Sequence, residues 1–467
     1  MRKTLLLLTL CASFFGLDAH SQEPYTLQVY EDAVFYGMYE GTVSTPVPEG
    51  AIRNNNTSYG KKLTAEQIAQ IGNKLTINVS ASALCDDYDR IGGVNLAFVP
   101  KGATSYEYRG VRRIEVGRFI TPFMNNITRT PTSVPYTFDV DNLTYILHDE
   151  VLAAEYDFWL ELEIYGYQGA PNANTGGAQW DFLASGLCNN RNDVYKGSLE
   201  LVSSTDTSVP ARGDLYFKDM AFKFELKNYV QATETNYFGQ GTDELNTTVR
   251  SITFTLDKPI KDAEFSLITS NHGSNSGGEE YIRRWHYAYL DGVEKLRYRP
   301  GENCEPYRQY NTMPNGIYGP TILTAAQWAQ FSNWCPGARI VTRVIPLGDL
   351  AAGEHTFKIT VPAATFTGGQ GYFPMSLYVQ GNEAIAANVD GFAKNSFSVY
   401  PNPVTDIATI ASTGEPVKSF SVVNTLGQVV LKGNGAAINM AQLQNGVYIV
   451  NAEFDGGQVL TQKIVKK

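Results

Sequence analysis

Ser251-Ile252-Thr253-Phe254-Thr255-Leu256 alternates hydroxylated and apolar side chains, so Ile252, Phe254 and Leu256 share one face of an extended chain and the hydroxyls share the other. That period of two marks a strand with one face in a core and one in water. Tyr25 to Tyr30, Lys74 to Ser80, Leu215 to Leu226 and Thr356 to Val361 carry the same alternation, and stretches rich in Gly, Pro and Asn separate them. The 28 Tyr and 23 Phe favour pleated sheets, and 42 Gly with 21 Pro supply turns. The chain therefore reads as all-β, built of antiparallel sandwiches. Helical signals are few. Thr64-Ala65-Glu66-Gln67 spells a capping box before a short amphipathic stretch, and Thr324 to Phe331 offers one more helical turn.

A chain of 467 residues is too long for one ordinary domain, and about three are expected. Residues 1–21 read as a secretory signal peptide. Arg2 and Lys3 form its basic end, Leu5 to Phe15 an apolar run too short to span a bilayer, and small residues lie near Ala19 and Ser21. Turn-rich Ser203 to Gly213 and loose Gly381 to Lys394 set the remaining boundaries. These give sandwiches over 22–206 and 207–382, a linker over 383–395 and a last domain over 396–467. A net charge of −10 argues against nucleic acid, whose phosphates need a basic footprint, and leaves a neutral partner such as a glycan open. A monomer is expected.

Export into an oxidising compartment turns the four mature cysteines, Cys85, Cys188, Cys304 and Cys335, into candidates for disulfides. Three connectivities exist, and sequence order favours Cys85 with Cys188 and Cys304 with Cys335. No CxxC or His-rich cluster occurs, so neither a structural zinc nor any other metal or cofactor is expected.

Three segments concentrate carboxylates. Cys85-Asp86-Asp87-Tyr88-Asp89-Arg90 crowds three acids together, which raises one pKa unless Arg90 compensates. Trp159-Leu160-Glu161-Leu162-Glu163-Ile164-Tyr165 puts Trp159, Glu161, Glu163 and Tyr165 on one strand face. In Gly278-Glu279-Glu280-Tyr281-Ile282-Arg283-Arg284-Trp285-His286, an extended chain sets Glu280, Arg284 and His286 on one side and Glu279 on the other. Each has a bland reading: an acidic turn, a solvated Glu stripe, a salt-bridged edge.

Together with Gly117-Arg118-Phe119-Ile120-Thr121-Pro122-Phe123 and Ser332-Asn333-Trp334-Cys335-Pro336-Gly337, these segments resemble the peptide-N-glycosidase F family, in order from about residue 25 to 382. The resemblance implies two antiparallel jelly rolls side by side with the active site in the cleft between them. It also implies a metal-independent amidase that hydrolyses the bond between the innermost N-acetylglucosamine and asparagine in N-glycosylated proteins or glycopeptides. Carried over, the family's acids fall on Asp89, Glu280 and Glu161, the last on a short strand pattern. Arg90, Tyr88, Tyr281 and Trp334 fall on substrate-binding positions, and strand parity adds Arg284 and His286 as supporting candidates on the Glu280 face. Cys335 is implied to pair with Cys304, and Cys188 becomes the partner of Cys85, because the family's other cysteines are missing. Tyr88 and Tyr281 stand where the family has tryptophan, Glu163 replaces another, and Phe331 replaces an arginine. Those departures put substrate preference in question and keep a glycan-binding lectin or adhesin on the same fold as the alternative. A glycoside hydrolase using two acids is a third reading. A copper monooxygenase fails because His148, His272, His286 and His355 include no close pair.

The last residues resemble the sorting domain of the type IX secretion system. Tyr400-Pro401-Asn402-Pro403 and Asn445-Gly446-Val447-Tyr448 carry that likeness. It implies contact with that secretion machinery and a secreted or cell-surface location.

Overall fold

The computed structural model describes residues 24–86, 88–124, 130–167, 188, 190–210, 213–232, 238–273, 278–312, 323–383, 396–413, 416–454 and 459–467. The signal segment and Asp87 lie outside the described residues. The body up to Ala384 forms one compact unit and the tail from Ile385 another.

Among the described residues the body holds nineteen strands. The first nine are β1 (Tyr25–Tyr36), β2 (Ala51–Asn55), β3 (Ser58–Lys62), β4 (Lys74–Ala83), β5 (Ile91–Pro100), β6 (Arg112–Ile120), β7 (Val134–Asp139), β8 (Tyr156–Ile164) and β9 (Asp193–Ser204). Ten more follow: β10 (Leu215–Gln231), β11 (Gln240–Thr242), β12 (Val249–Leu256), β13 (Ile260–Thr269), β14 (His286–Leu290), β15 (Val293–Tyr298), β16 (Arg339–Ile340), β17 (Arg343–Leu350), β18 (Gly353–Thr360) and β19 (Phe373–Glu383).

The first sandwich stacks β1-β9-β4-β7 on β16-β6-β5-β8-β3-β2. Apolar residues such as Phe35, Ile77, Leu96, Phe119, Leu162 and Leu199 fill the space between. The second pairs β11-β10-β19-β13-β17 with β12-β18-β14-β15 around Phe224, Phe254, Phe265, Phe357 and Leu377. Pairing is antiparallel throughout except β10 with β11. Short β16 comes from the second half of the chain yet adds to β6 of the first sandwich, tying the two together.

Both predicted helical turns form: α1 (Ala65–Ala69) and, further on, Ala325–Trp328 each have a Thr N-cap and a Gln closing the capping box. Two short helices between β7 and β8, α2 (Leu143–Leu147) and α3 (Glu150–Glu155), have no counterpart in the sequence reading. Asp149, whose side chain accepts from the Leu152 amide, caps α3, whereas α2 has no side-chain cap.

β5, β6 and β8 are buried on both faces. Their core face is apolar, and their other face meets the second sandwich through polar groups. Lys223 lies at a bulge in β10 with a left-handed backbone (φ 48°), and its Nζ bonds Glu163. Glu115 accepts from the Ser376 hydroxyl, and Arg118 donates to Ser270 Oγ and to the Pro374 carbonyl, both at 2.8 Å. The expectation that a Glu stripe on a strand faces water therefore fails for β8: Lys223 of the second sandwich covers Glu163, and Tyr106 and Arg113 of the first cover Glu161.

In the tail, three-stranded and four-stranded antiparallel sheets enclose Val404, Ala408, Ile438, Met440, Val450 and Ile464. Asn402 of the Pro-Asn-Pro turn fastens it by donating to the Lys463 carbonyl and accepting from the Val465 amide. Asn445-Gly446 opens the strand Gly446–Phe454.

Candidate active site

The Asp89 loop leaves β4 and is tied at both flanks by a residue just past β6. Thr121 Oγ1 accepts from the Arg90 amide at 2.6 Å and donates to the Tyr88 carbonyl at 2.8 Å. The Cys85–Cys188 disulfide fixes the start of the loop. Asp86 is its hub: the carboxylate accepts from the Tyr88 amide (3.0 Å), the Tyr167 amide (2.7 Å), and Arg90 Nε (2.6 Å) and Nη2 (3.2 Å). The Arg90 guanidinium lies over the rings of Tyr167 (4.1 Å) and Tyr88 (4.8 Å). Arg90 is thus committed to Asp86, and Asp89 Oδ2 is buried with no hydrogen-bond partner. Burial, then the Glu280 charge, holds the Asp89 carboxyl well above the usual carboxylate range; Arg90 only partly opposes them.

Glu280 comes from the second sandwich. Residues 278–285 form turns and irregular chain, and β14 begins only at His286. The extended reading of this stretch is therefore corrected, and with it the grouping of Glu280 with Arg284 and His286. Glu279 anchors the loop: it accepts from Arg284 Nε (2.7 Å), Arg284 Nη2 (3.0 Å) and the Thr365 amide (2.7 Å). Burial alone would raise the Glu279 pKa, but Arg284 and Thr365 outweigh it and keep the carboxyl below its usual value. The Glu280 carbonyl accepts from Ser332 Oγ (2.9 Å) and from Asn333 Nδ2. Asn333 Oδ1 in turn accepts from the Asn271 amide, and Trp334 Nε1 donates to the Asn271 carbonyl, both at 2.9 Å.

The two motif segments meet in space. Gly337 N donates to Ile120 O at 2.9 Å, and Ile120 N to Ala338 O at 3.0 Å. The residues that grip Asp89 and those that grip Glu280 are therefore joined directly, which sets one carboxyl against the other across the cleft. Cys304–Cys335 braces the second grip.

Tyrosines line the space. Tyr88 and Tyr281 have pKa values raised by burial and next by the Asp89 charge. Tyr372 is raised by burial, then Glu225, with Tyr165, Glu280 and Tyr167 also contributing. Beside them a cavity of about 80 Å³ is bounded by Ile91, Arg118 and Tyr165 of the first sandwich and by Lys223, Glu225, Tyr372 and Pro374 of the second. Neither Asp89 nor Glu280 lines that cavity; the interacting carboxyls and their tyrosines lie at the same junction of the two sandwiches, and buried carboxyls that perturb each other in this way mark a candidate site.

Comparison with known families decides the kinship. Residues 26–168 match the family model described as Peptide-N-glycosidase F, N terminal, and residues 242–380 match its C-terminal counterpart. The chain belongs to the peptide-N-glycosidase F family. Residues 398–467 match the secretion system C-terminal sorting domain, which marks this family member for type IX secretion and hence for the medium or the cell surface. No curated protein sequence matches the chain. Among solved structures, PNGF-II in two crystal forms is similar in fold, at 18% identity, TM-scores of 0.54 and 0.52 and 78% coverage of this chain. The chain spans only 65% and 66% of those two structures. PNGase F, a glycosylasparaginase from Flavobacterium meningosepticum, aligns at 12% identity and TM-score 0.46, covering 78% of this chain and 96% of that one.

Of the residues singled out from the sequence, Asp89, Arg90, Tyr88, Glu280 and Tyr281 come together at this cleft. Glu161 does not join them. It is fully buried in an ion pair with equally buried Arg113 (3.0 Å) and accepts from Asn54, Asn95 and Tyr106. It sits four residues, roughly 13 Å along β8, from the cavity-lining Tyr165. Trp334 is 3% exposed, behind Tyr281 at 5.8 Å between ring centroids, so it backs the cleft wall instead of forming its surface. Arg284 is held by Glu279. His286 is fully buried and stacked on Tyr298 at 4.9 Å, with its pKa lowered to about 4, first by burial. Burial puts His286 out of reach of a ligand, whereas Arg284, still 20% exposed, is occupied by Glu279. Asp86 and Thr121 stood within the motif segments without a role assigned to them, and Asn271 and Tyr372 were not singled out at all. Only Asp86 had a local signal, its i,i+4 spacing from Arg90.

Proposed function

We propose that this family member is an amidase that hydrolyses the bond between asparagine and the innermost N-acetylglucosamine of N-glycosylated proteins or glycopeptides. The observation that carries this reading is the pairing of Asp89 and Glu280 from opposite sandwiches, with Asp89 Oδ2 buried and unpartnered. An amide carbonyl is a poor electrophile, so its hydrolysis needs a water to lose a proton as it attacks and the leaving nitrogen to gain one. Ionised Asp89 takes the proton of the attacking water; the same proton then passes to the nitrogen as the C–N bond breaks. The products are an aspartate side chain and a glycosylamine, which loses ammonia in water. A raised pKa suits the first half, because the carboxylate accepts a proton more readily than an ordinary one. Glu280 holds water and sugar hydroxyls opposite it. Tyr88 and Tyr281 offer ring faces to the sugar. Glu163 acts through the scaffold by bonding Lys223 of the second sandwich, and Glu161 by holding Arg113 and Tyr106 within the first.

One observation favours a second reading, a glycan-binding protein without turnover: only two of the family's three acids reach the cleft. Weighing the product of a defined glycopeptide separates the readings. Aspartate at the former glycosylation site supports the amidase, residual N-acetylglucosamine a glycosidase, and an intact glycopeptide that stays bound a lectin.

A further inference from the structure

Outside the pair of carboxyls, a ladder of rings leads to the surface. Tyr39 is 74% exposed, a large aromatic ring left in water. Its loop is held by one buried side chain: Asn56 Nδ2 donates to the carbonyls of Gly37 (3.0 Å), Glu40 (3.3 Å) and Gly41 (3.1 Å), and Asn56 Oδ1 accepts from the Val43 amide (3.0 Å). The Met38 amide donates to the Gly166 carbonyl at 2.9 Å, which brings this loop beside Tyr167. The Tyr39 and Tyr167 rings lie 5.0 Å apart with their hydroxyls 3.3 Å from each other. Tyr167, 40% exposed, covers the Arg90 guanidinium, and its own amide is fixed by Asp86. A fixed, exposed aromatic pair continuous with the residue next to Asp89 is preorganised for a ligand that already occupies the cleft.

We infer that Tyr39 and Tyr167 form a stacking platform for sugar residues beyond the innermost N-acetylglucosamine, an extension that rests on the amidase reading. The pair offers ring faces and two hydroxyls without a formal charge, matching the apolar C–H face and hydroxyl rim of a neutral pyranose. Arg90 beneath Tyr167 is already neutralised by Asp86, so nothing at the platform selects for an anion.

Tyr39→Ala and Tyr39→Phe test this in the full chain, since an exposed ring leaves the fold untouched. The ligands are the free core pentasaccharide of N-glycans and free N-acetylglucosamine, titrated by NMR. Tyr39→Ala should weaken the pentasaccharide roughly 3- to 10-fold and leave the monosaccharide unchanged, while Tyr39→Phe keeps most of the affinity. On glycopeptides, Tyr39→Ala should raise KM for an extended glycan, not for a single sugar, with kcat constant. Equal pentasaccharide affinity in wild type and Tyr39→Ala overturns the platform, as does a KM effect that follows peptide length instead of glycan length. Pentasaccharide binding that needs Tyr39 in a protein that cleaves no glycopeptide would retain the platform and remove the amidase reading. Cleavage indifferent to Tyr39 would do the reverse.

Discussion

Asp86→Asn should loosen the cleft and move its pH response at once. The Asp86 side chain is 4% exposed and that of Arg90 20%, and their pair is reinforced by two backbone amides. An asparagine keeps one acceptor oxygen but turns an NH2 group toward a ring of donors, and leaves the guanidinium without a counter-charge. Breaking a buried pair from one side costs roughly 3–5 kcal/mol, and the partial exposure of Arg90 puts this case near the lower end. Guanidinium denaturation followed by tryptophan fluorescence reads that loss. The second effect is electrostatic. Burial and Glu280 raise the Asp89 pKa, Asp86 adds to them, and Arg90 opposes. Neutralising Asp86 removes one raising charge and frees Arg90 to act on Asp89, so both changes lower the Asp89 pKa. With Asp89 acting first as a base, as proposed, the rising limb of kcat/KM against pH should begin above the usual carboxylate range in the wild type and move toward acid in Asp86→Asn. A limb that stays in place or moves toward alkali would refute the reasoning, and so would a stability loss within about 0.5 kcal/mol, the range of an ordinary surface change.

Asp89→Asn should raise stability at neutral pH. A carboxyl whose folded pKa lies above its unfolded one destabilises the fold once pH exceeds the unfolded value, and it contributes nothing below it. The gain over wild type should therefore vanish in acid, as thermal melts across pH will check. Lys223→Met and Glu163→Gln should each cost roughly 3–5 kcal/mol by orphaning a buried charge, and the double variant less than their sum by about 1–3 kcal/mol. Denaturant midpoints of the four proteins measure that coupling. Replacing Cys304 and Cys335 together by Ser opens a loop of 31 residues and should cost roughly 3–4 kcal/mol. It should also lower kcat by freeing the segment that grips the Glu280 carbonyl, which steady-state kinetics will show.

The strands were legible because each buries one face: Val249–Leu256 alternates as its sequence says. Strand β8 shows where that logic stops. Parity correctly put Glu161 with Glu163, but whether their face meets water or a second sandwich depends on strands far along the chain. The Glu279 stretch misled for a local reason. Glu279 finds Arg284 and the Thr365 amide, and those bonds are worth more than an extended backbone without a neighbouring strand. The clustering of acids at 86–90 did announce a raised pKa. That Arg90 compensates Asp86, leaving Asp89 as the raised one, follows from guanidinium geometry that no spacing encodes. Asn271 and Tyr372 carry no motif at all, since they act through partners some 60 to 100 residues away.

On the proposed mechanism, Asp89 and Glu280 together hydrolyse a glycosylated amide. Digesting a defined glycopeptide in heavy-oxygen water with wild type, Asp89→Asn and Glu280→Gln, and sequencing the products by mass spectrometry, tests it directly. The wild type should leave one heavy oxygen in a new aspartate side chain, and Asp89→Asn should lose at least about 100-fold in rate. An unaltered asparagine in the wild-type digest, or full activity in Asp89→Asn, would contradict it.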